Sequence, residues 1–149
     1  MPAKTSAGLL LYRRRGGDLE VLLVHPGGPF FAKKDAAAWS IPKGEIESAD
    51  EDLLTRAKIE FREELGIDPP PGPFLALGPI KQKGGKTVHA WACEGNFTGP
   101  PVSNTFQMEW PPRSGNLQSF PEIDRAEWFP IPIAREKINP AQAAFLDSL

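Results

Sequence analysis

The sequence predicts an α/β (α+β) fold in which a mixed β-sheet is covered by helices on both faces. Three observations predict it. Two hairpin-like pairs of apolar runs stand before and after residues 44–67. One sharply bounded acidic helix separates them, and a last strand runs directly into helical turns near residue 149.

Taken in order, residues 6–14 (Ser-Ala-Gly-Leu-Leu-Leu-Tyr-Arg-Arg) read as a strand, and residues 19–25 read as a second strand after the Gly16-Gly17 turn. Residues 26–38 form a loop that opens Pro-Gly-Gly-Pro and holds Lys33, Lys34 and Asp35 before three alanines. It reads either as a lid beside a site or as a plain surface loop. The turn Ile41-Pro42-Lys43-Gly44 leads into a helix over residues 50–65. Ser48 has N-cap spacing with Glu51 reaching back to it, and Gly66 suits the left-handed residue that ends a helix. Pro69 to Pro73 is a rigid stop rather than a linker, because neither side is large enough to stand alone. Strands resume at 74–81 and 87–94, joined through Gly84-Gly85. The second alternates, with Val88, Ala90 and Ala92 on one face and His89, Trp91 and Cys93 on the other. Residues 102–110 read as a further strand ending at Pro111-Pro112, and 113–121 as a loop. Residues 125–130 read as a short strand, and 134–148 as helical turns interrupted near Pro140.

The acidic helix carries the chemistry. At roughly 100° per residue, Leu53, Leu54, Ala57, Phe61 and Leu65 gather within an arc of roughly 120°. Glu64 falls inside that apolar arc, Glu60 on its edge, and Glu63 roughly 60° beyond Glu60. A carboxylate bordering a core must protonate or find a cation. Like charges three and four residues apart also repel, and a hard divalent cation with oxygen ligands removes both costs. Gly44, just upstream, permits close backbone approach, and its carbonyl is a further oxygen ligand.

These residues resemble the signature of the Nudix hydrolases: Gly, five residues, Glu, seven residues, Arg-Glu, an aliphatic or aromatic residue, any residue, Glu-Glu, any residue, Gly, aliphatic. Gly44, Glu51, Glu60, Phe61, Glu63, Glu64, Gly66 and Ile67 match. Two departures stand out. Six residues rather than five separate Gly44 from Glu51, and Ile59 occupies the arginine position. Arg56, one turn before Glu60, is the candidate substitute charge. The order of elements outside the box, including Glu127-Trp128-Phe129 before a final helix, is similar to the family over nearly the whole chain.

The resemblance implies an alpha/beta/alpha Nudix sandwich and a metal-dependent pyrophosphohydrolase. It implies Glu60, Glu63, Glu64 and the Gly44 carbonyl as ligands of Mg²⁺, with Mn²⁺ as the alternative. One glutamate takes the proton of the attacking water, and Glu60 is the first choice for base or ligand, roles that the family divides differently among its members. Some members recruit a further carboxylate from the loop before the last strand, and Glu122 is the candidate here, against an ordinary loop acid. Lys43 is placed to meet substrate phosphate. The expected substrate is a small nucleotide-type molecule, a nucleoside triphosphate or a dinucleoside polyphosphate. A non-catalytic nucleotide sensor is the competing expectation, motivated by Ile59.

Composition narrows the remaining classes. At 149 residues the chain suits one domain, 1–149. Its net charge of −2, with no long Lys/Arg run, argues against nucleic acid as the main partner. The single cysteine, Cys93, allows no intramolecular disulfide or thiolate cluster and reads as a small buried apolar residue. No apolar run approaches a membrane span and the first residues lack a signal-peptide pattern, so the expected location is cytoplasmic. Lys81, Lys83 and Lys86 flank a hairpin turn, either reaching a substrate or simply solvated. His89 and Trp91 either stack on a base or pack in the core.

Overall fold

Alternation along the first two strands sets both faces of the sheet. The computed structural model describes residues 4–149, apart from the side chain of Lys83. β1 (Thr5–Arg15) and β2 (Asp18–Pro26) pair antiparallel around Gly16-Gly17, whose φ angles of 60° and 88° are those a two-residue hairpin turn requires. β4 (Leu75–Lys81) and β5 (Thr87–Glu94) form the second hairpin, and β5 lies parallel to β1. β8 (Ile123–Pro130) closes the other edge against β2, giving the order β4-β5-β1-β2-β8. β3 (Lys43–Glu45), which the sequence suggested was only a turn, pairs with the start of β1.

The odd positions Leu9 and Leu11, with Leu22, Val24 and Cys93, face α1 (Leu53–Leu65). Leu10, Val21, Leu23, Val88, Ala90 and Ala92 face the opposite layer. That layer comprises α2 (Ile131–Lys137), a 3₁₀ turn at Pro140–Gln142 and α3 (Ala144–Asp147). The result is the expected mixed sheet between two helical layers. Among the described residues, no helix is long and apolar enough to cross a membrane.

Four local expectations are corrected. α1 starts at Leu53 rather than residue 50, and its N-cap is Asp52, not Ser48. Asp52 accepts the Thr55 N–H at 3.0 Å, while the Ser48 hydroxyl accepts the Asp50 N–H at 3.2 Å in the preceding turn. Asp52 wins because it stands immediately before the buried periodicity; Leu54 is left half-buried. The predicted loop 113–121 contains β7 (Leu117–Pro121), which pairs with β6 (Thr105–Glu109) in a hairpin outside the main sheet. That arm has no fully buried residue, so no apolar alternation announces it. The predicted strand 102–110 accordingly shrinks to β6. α2 begins three residues before residue 134, with Pro132 in its first turn, where a missing N–H costs nothing. The break at Pro140 is where it was expected.

These pairings bring the start of β1, β5 and β8 and the ends of β2 and β4 to one end of the sheet. Gly44 and the acidic face of α1 lie at that end.

Candidate active site

Phe61 is fully buried beneath the sheet, worth roughly 1.5–3 kcal/mol for a side chain of its kind. This anchor fixes the rotation of α1, so Glu64, one turn on, must enter the interior as well. Glu64 is 7% exposed, and it shares a cleft wall with Lys43. Glu60 lies against Gly44 so tightly that a methyl group there would overlap its carboxylate. Glu63 is half-buried and close enough for its charge to act on Glu60.

Glu122 reaches the same region through backbone hydrogen bonds. Val102 N–H and Asn104 N–H donate to the carbonyls of Leu65 (3.2 Å) and Glu63 (2.9 Å), and Gly66 N–H donates to that of Arg62 (2.8 Å). Carbonyls left unpaired by the end of α1 are thereby used to dock segment 102–104. Glu122 then donates its N–H to Asn104 (2.8 Å) and accepts from Gly27 (2.8 Å). Gly27 has no room for a side chain, because one would overlap the Pro121 carbonyl. The exposed loop acid of the sequence is thus held close enough for its charge to act on both Glu60 and Glu64.

Burial, then the neighbouring Glu63, push Glu60 up to about 7, with Arg56 opposing and Glu122 adding. Burial, then Glu60 and Glu122, push Glu64 up to about 9 against the charge and N–H of Lys43. The donor set, carboxylate oxygens crowded beyond what neutral pH allows them to ionise, is the chemistry that a hard divalent cation fits. Among the described residues no three acidic, histidine or cysteine side chains already converge on one point.

The raised values fix the sign of a pH effect. Both groups hold protons in the folded chain that the unfolded chain, titrating near 4.5, has already released. Stability of the metal-free protein is therefore complete below that value and declines as pH rises through about 7 and then about 9. Thermal melts in EDTA are expected to show Tm falling across this window. Added Mg²⁺ is expected to raise Tm more at alkaline than at acid pH, and a pH-independent increment would contradict the assignment.

Arg56 and Glu51 form the other charged unit of α1. Arg56 is 8% exposed, with Nε 3.0 Å and Nη2 2.5 Å from Glu51 Oε1, and Glu47 at 3.7 Å. The guanidinium holds the Glu51 carboxyl below its ordinary value. Glu51 Oε2 also accepts the Glu47 N–H at 2.9 Å. Glu51 is thus the partner of Arg56 and of the preceding turn rather than half of a capping box with Ser48. Ile59 is 37% exposed. Gly66 ends the helix at φ 83° as expected.

A cleft of about 280 Å³ opens beside the carboxylates, with Lys43 and Glu64 in its wall. Val24, Phe31, Ile41 and Ile123 give it apolar sides, and Ser40, Asn139 and Gln142 add polar groups. Loop 26–38 supplies Phe31, Ala37 and Ala38, so it does border the site. Lys81 and Lys86 are exposed and line a separate groove that shares Asn139. Trp91 packs against the α1-side core and Cys93 is buried there. Phe31, Asn139 and Gln142 had no signal in the sequence, since only the tertiary fold carries them to residue 43.

The fold is similar to several solved structures. The NUDIX domain of Shewanella oneidensis NrtR complexed with ADP ribose aligns at a TM-score of 0.68 and 15% identity, over 99% of this chain and 86% of that one. A C. elegans Ap4A hydrolase binary complex aligns at 0.64 and 22%, over 95% and 92%. The C-terminal domain of mouse MUTYH, solved with human PCNA, aligns at 0.62 and 16%, over 99% and 87%. No curated protein sequence matches the chain. The family model described as the NUDIX domain matches residues 2–149. With that match spanning almost every residue, and the acidic helix set against the sheet end where its motif places it, the chain belongs to the NUDIX family.

Proposed function

We propose that the protein is a Mg²⁺-dependent pyrophosphohydrolase, a single catalytic domain over residues 1–149, acting in the cytoplasm. It hydrolyses a phosphoanhydride of a nucleoside diphosphate linked to another moiety, such as a nucleoside triphosphate or a dinucleoside polyphosphate. The observation that carries this reading is the crowding of Glu60, Glu63, Glu64 and Glu122 at one sheet end beside a cleft, with Glu60 and Glu64 pushed well above the ordinary carboxylate range. The neighbours solved as an ADP-ribose complex and as an Ap4A hydrolase support a nucleotide-type ligand.

In this reading Glu60, Glu63, Glu64 and the Gly44 carbonyl hold the cation, Mn²⁺ being an alternative to Mg²⁺. Bound there, the ion supplies charge neutralisation for phosphate and a water of lowered pKa. Lys43, in the cleft wall beside Glu64, pairs with phosphate oxygens. Glu60 accepts the proton of the attacking water, and Glu122 contributes negative charge that keeps the cation against the helix. One P–O anhydride bond breaks as the water oxygen bonds to phosphorus, leaving two phosphate-bearing products.

A non-catalytic sensor is the alternative that Ile59 motivates. The Arg56–Glu51 pair, whose arginine is buried, weighs against it, because it supplies a cation to the acidic helix from one turn earlier. A panel of nucleotides with Mg²⁺, followed by phosphate and pyrophosphate release, separates the two. Turnover of at least one substrate is expected, with Glu63→Gln and Glu64→Gln each lowering it by at least about a hundredfold. Absence of turnover across the panel would favour the sensor, and turnover unchanged by both substitutions would remove the site.

A further inference from the structure

Loop 26–38 is anchored at two points by different elements. The Lys34 carbonyl lies 2.7 Å from Nε2 of the fully buried His25, whose Nδ1 lies 2.7 Å from the Asp124 carboxylate on β8. Nearer the start of the loop, Gly27 N–H donates to the Glu122 carbonyl at 2.8 Å. Between these anchors a turn carries Phe31 into the cleft wall, with Phe31 N–H donating to the Gly28 carbonyl (3.4 Å) and Lys34 N–H to the Phe31 carbonyl (3.0 Å).

Support for that turn comes from the β6–β7 arm. Gly28, at φ 93°, lies so close to the Phe106 ring that a side chain there would stand 2.8 Å from its Cζ. Phe30, 62% exposed, meets Trp110 edge to face, with ring centroids 6.0 Å apart and planes at 76°. A ring so exposed gains little from burial, which leaves the edge-to-face contact to order it. The arm braces both of its own rings. Phe106 packs on Phe120 across the hairpin at 6.0 Å, while the Trp110 N–H donates to the Asn116 carbonyl at 2.9 Å and its carbonyl accepts Gln118 Nε2 at 2.8 Å. Neither Phe106 nor Trp110 lines the cleft, and neither belongs to a buried core.

We infer that the β6–β7 arm clamps the cleft wall, Phe106 and Trp110 being positioning residues that hold residues 28–31 where Phe31 meets the substrate. This rests on the hydrolase reading above, in which the cleft takes the substrate. Loss of the two rings releases the turn while both anchors, and with them Glu122, stay in place. Substrate binding then weakens because the binding-competent loop is less populated. The chemical step does not, since Glu60, Glu63 and Glu64 are set by α1 and Glu122 by the root of the arm.

Hydrogen exchange of the ligand-free chain reads the clamp without any substrate. Trp110→Ala is expected to speed exchange of the Phe31 and Lys34 amides by roughly two- to tenfold, the equilibrium weight of one aromatic pair. Adding Phe106→Ala is expected to speed it further. Trp110→Phe, which keeps a ring, is expected to restore most of the protection, while the Gly27 amide, bonded at the root, stays unchanged in all of these variants. Tm is expected to move by only a few degrees. Leu117→Ala, at a position 70% exposed on β7, is the control and is expected to change neither exchange nor kinetics. With a nucleotide that the parent turns over, Phe106→Ala with Trp110→Ala is expected to raise KM at least about threefold and to keep kcat within about twofold. Unchanged exchange in the double variant would overturn the clamp. Faster exchange with an unchanged KM, or with a matching fall in kcat, would overturn its role in binding. A parent that turns over no nucleotide would remove the hydrolase reading, and the exchange rates would still decide the clamp.

Discussion

Glu60→Gln is expected to lower kcat by roughly 10²–10⁴-fold, the range of a lost general base, with little change in Tm. The two halves of this expectation have one cause. In the metal-free fold Glu60 is raised to about 7 by burial and by Glu63, so its uncharged form is well populated near neutral pH. A glutamine keeps that uncharged shape while abolishing proton acceptance. Steady-state kinetics at saturating substrate, beside thermal melts, check both halves. A kcat within threefold of the parent would transfer the base role to another carboxylate, while a large fall in Tm would make Glu60 structural.

Gly44→Ala is the second large effect, and it reaches the same group from outside. The added methyl overlaps the Glu60 carboxylate, which is the flexible end of its side chain and can move away. The fold should survive and the carboxylate should not stay in place. Misplacement by about 1 Å costs on the order of a hundredfold, so activity is expected to fall at least that far with Tm shifted by only a few degrees. In the double variant Gly44→Ala, Glu60→Gln the losses should not multiply, since both act through one carboxyl. Multiplicative losses would show that Gly44 matters for another reason, the first being its carbonyl.

How much of this was legible follows from where each signal originates. The continuous apolar run Leu9, Leu10 and Leu11 and the alternating Val88, Ala90 and Ala92 revealed strands, the first because both faces of the sheet are buried there. The wheel placed Glu60, Glu63 and Glu64 correctly because Phe61 and Leu65 fix the helix rotation without reference to distant residues. Ser48 misled because Asp52 is an equally good cap standing closer to the apolar stripe. Arg56 was legible as a charge one turn early, but its burial against Glu51 depends on a turn whose path periodicity does not encode. Gln142 was invisible because the partners of its side chain, Ile41 and Ser40, lie about a hundred residues away.

The docking of segment 102–104 onto the end of α1 has a consequence for protein engineering. The β6–β7 arm leaves and rejoins the body at Asn104 and Glu122, whose backbones are bonded to each other. Everything beyond that closed stem, residues 105–121, is a cassette with no share in the two buried cores. Such a stem makes the arm exchangeable for a loop of another length or recognition sequence. The carboxylate at 122 would stay in register with the helix, because its position is set at the root of the arm and not along it.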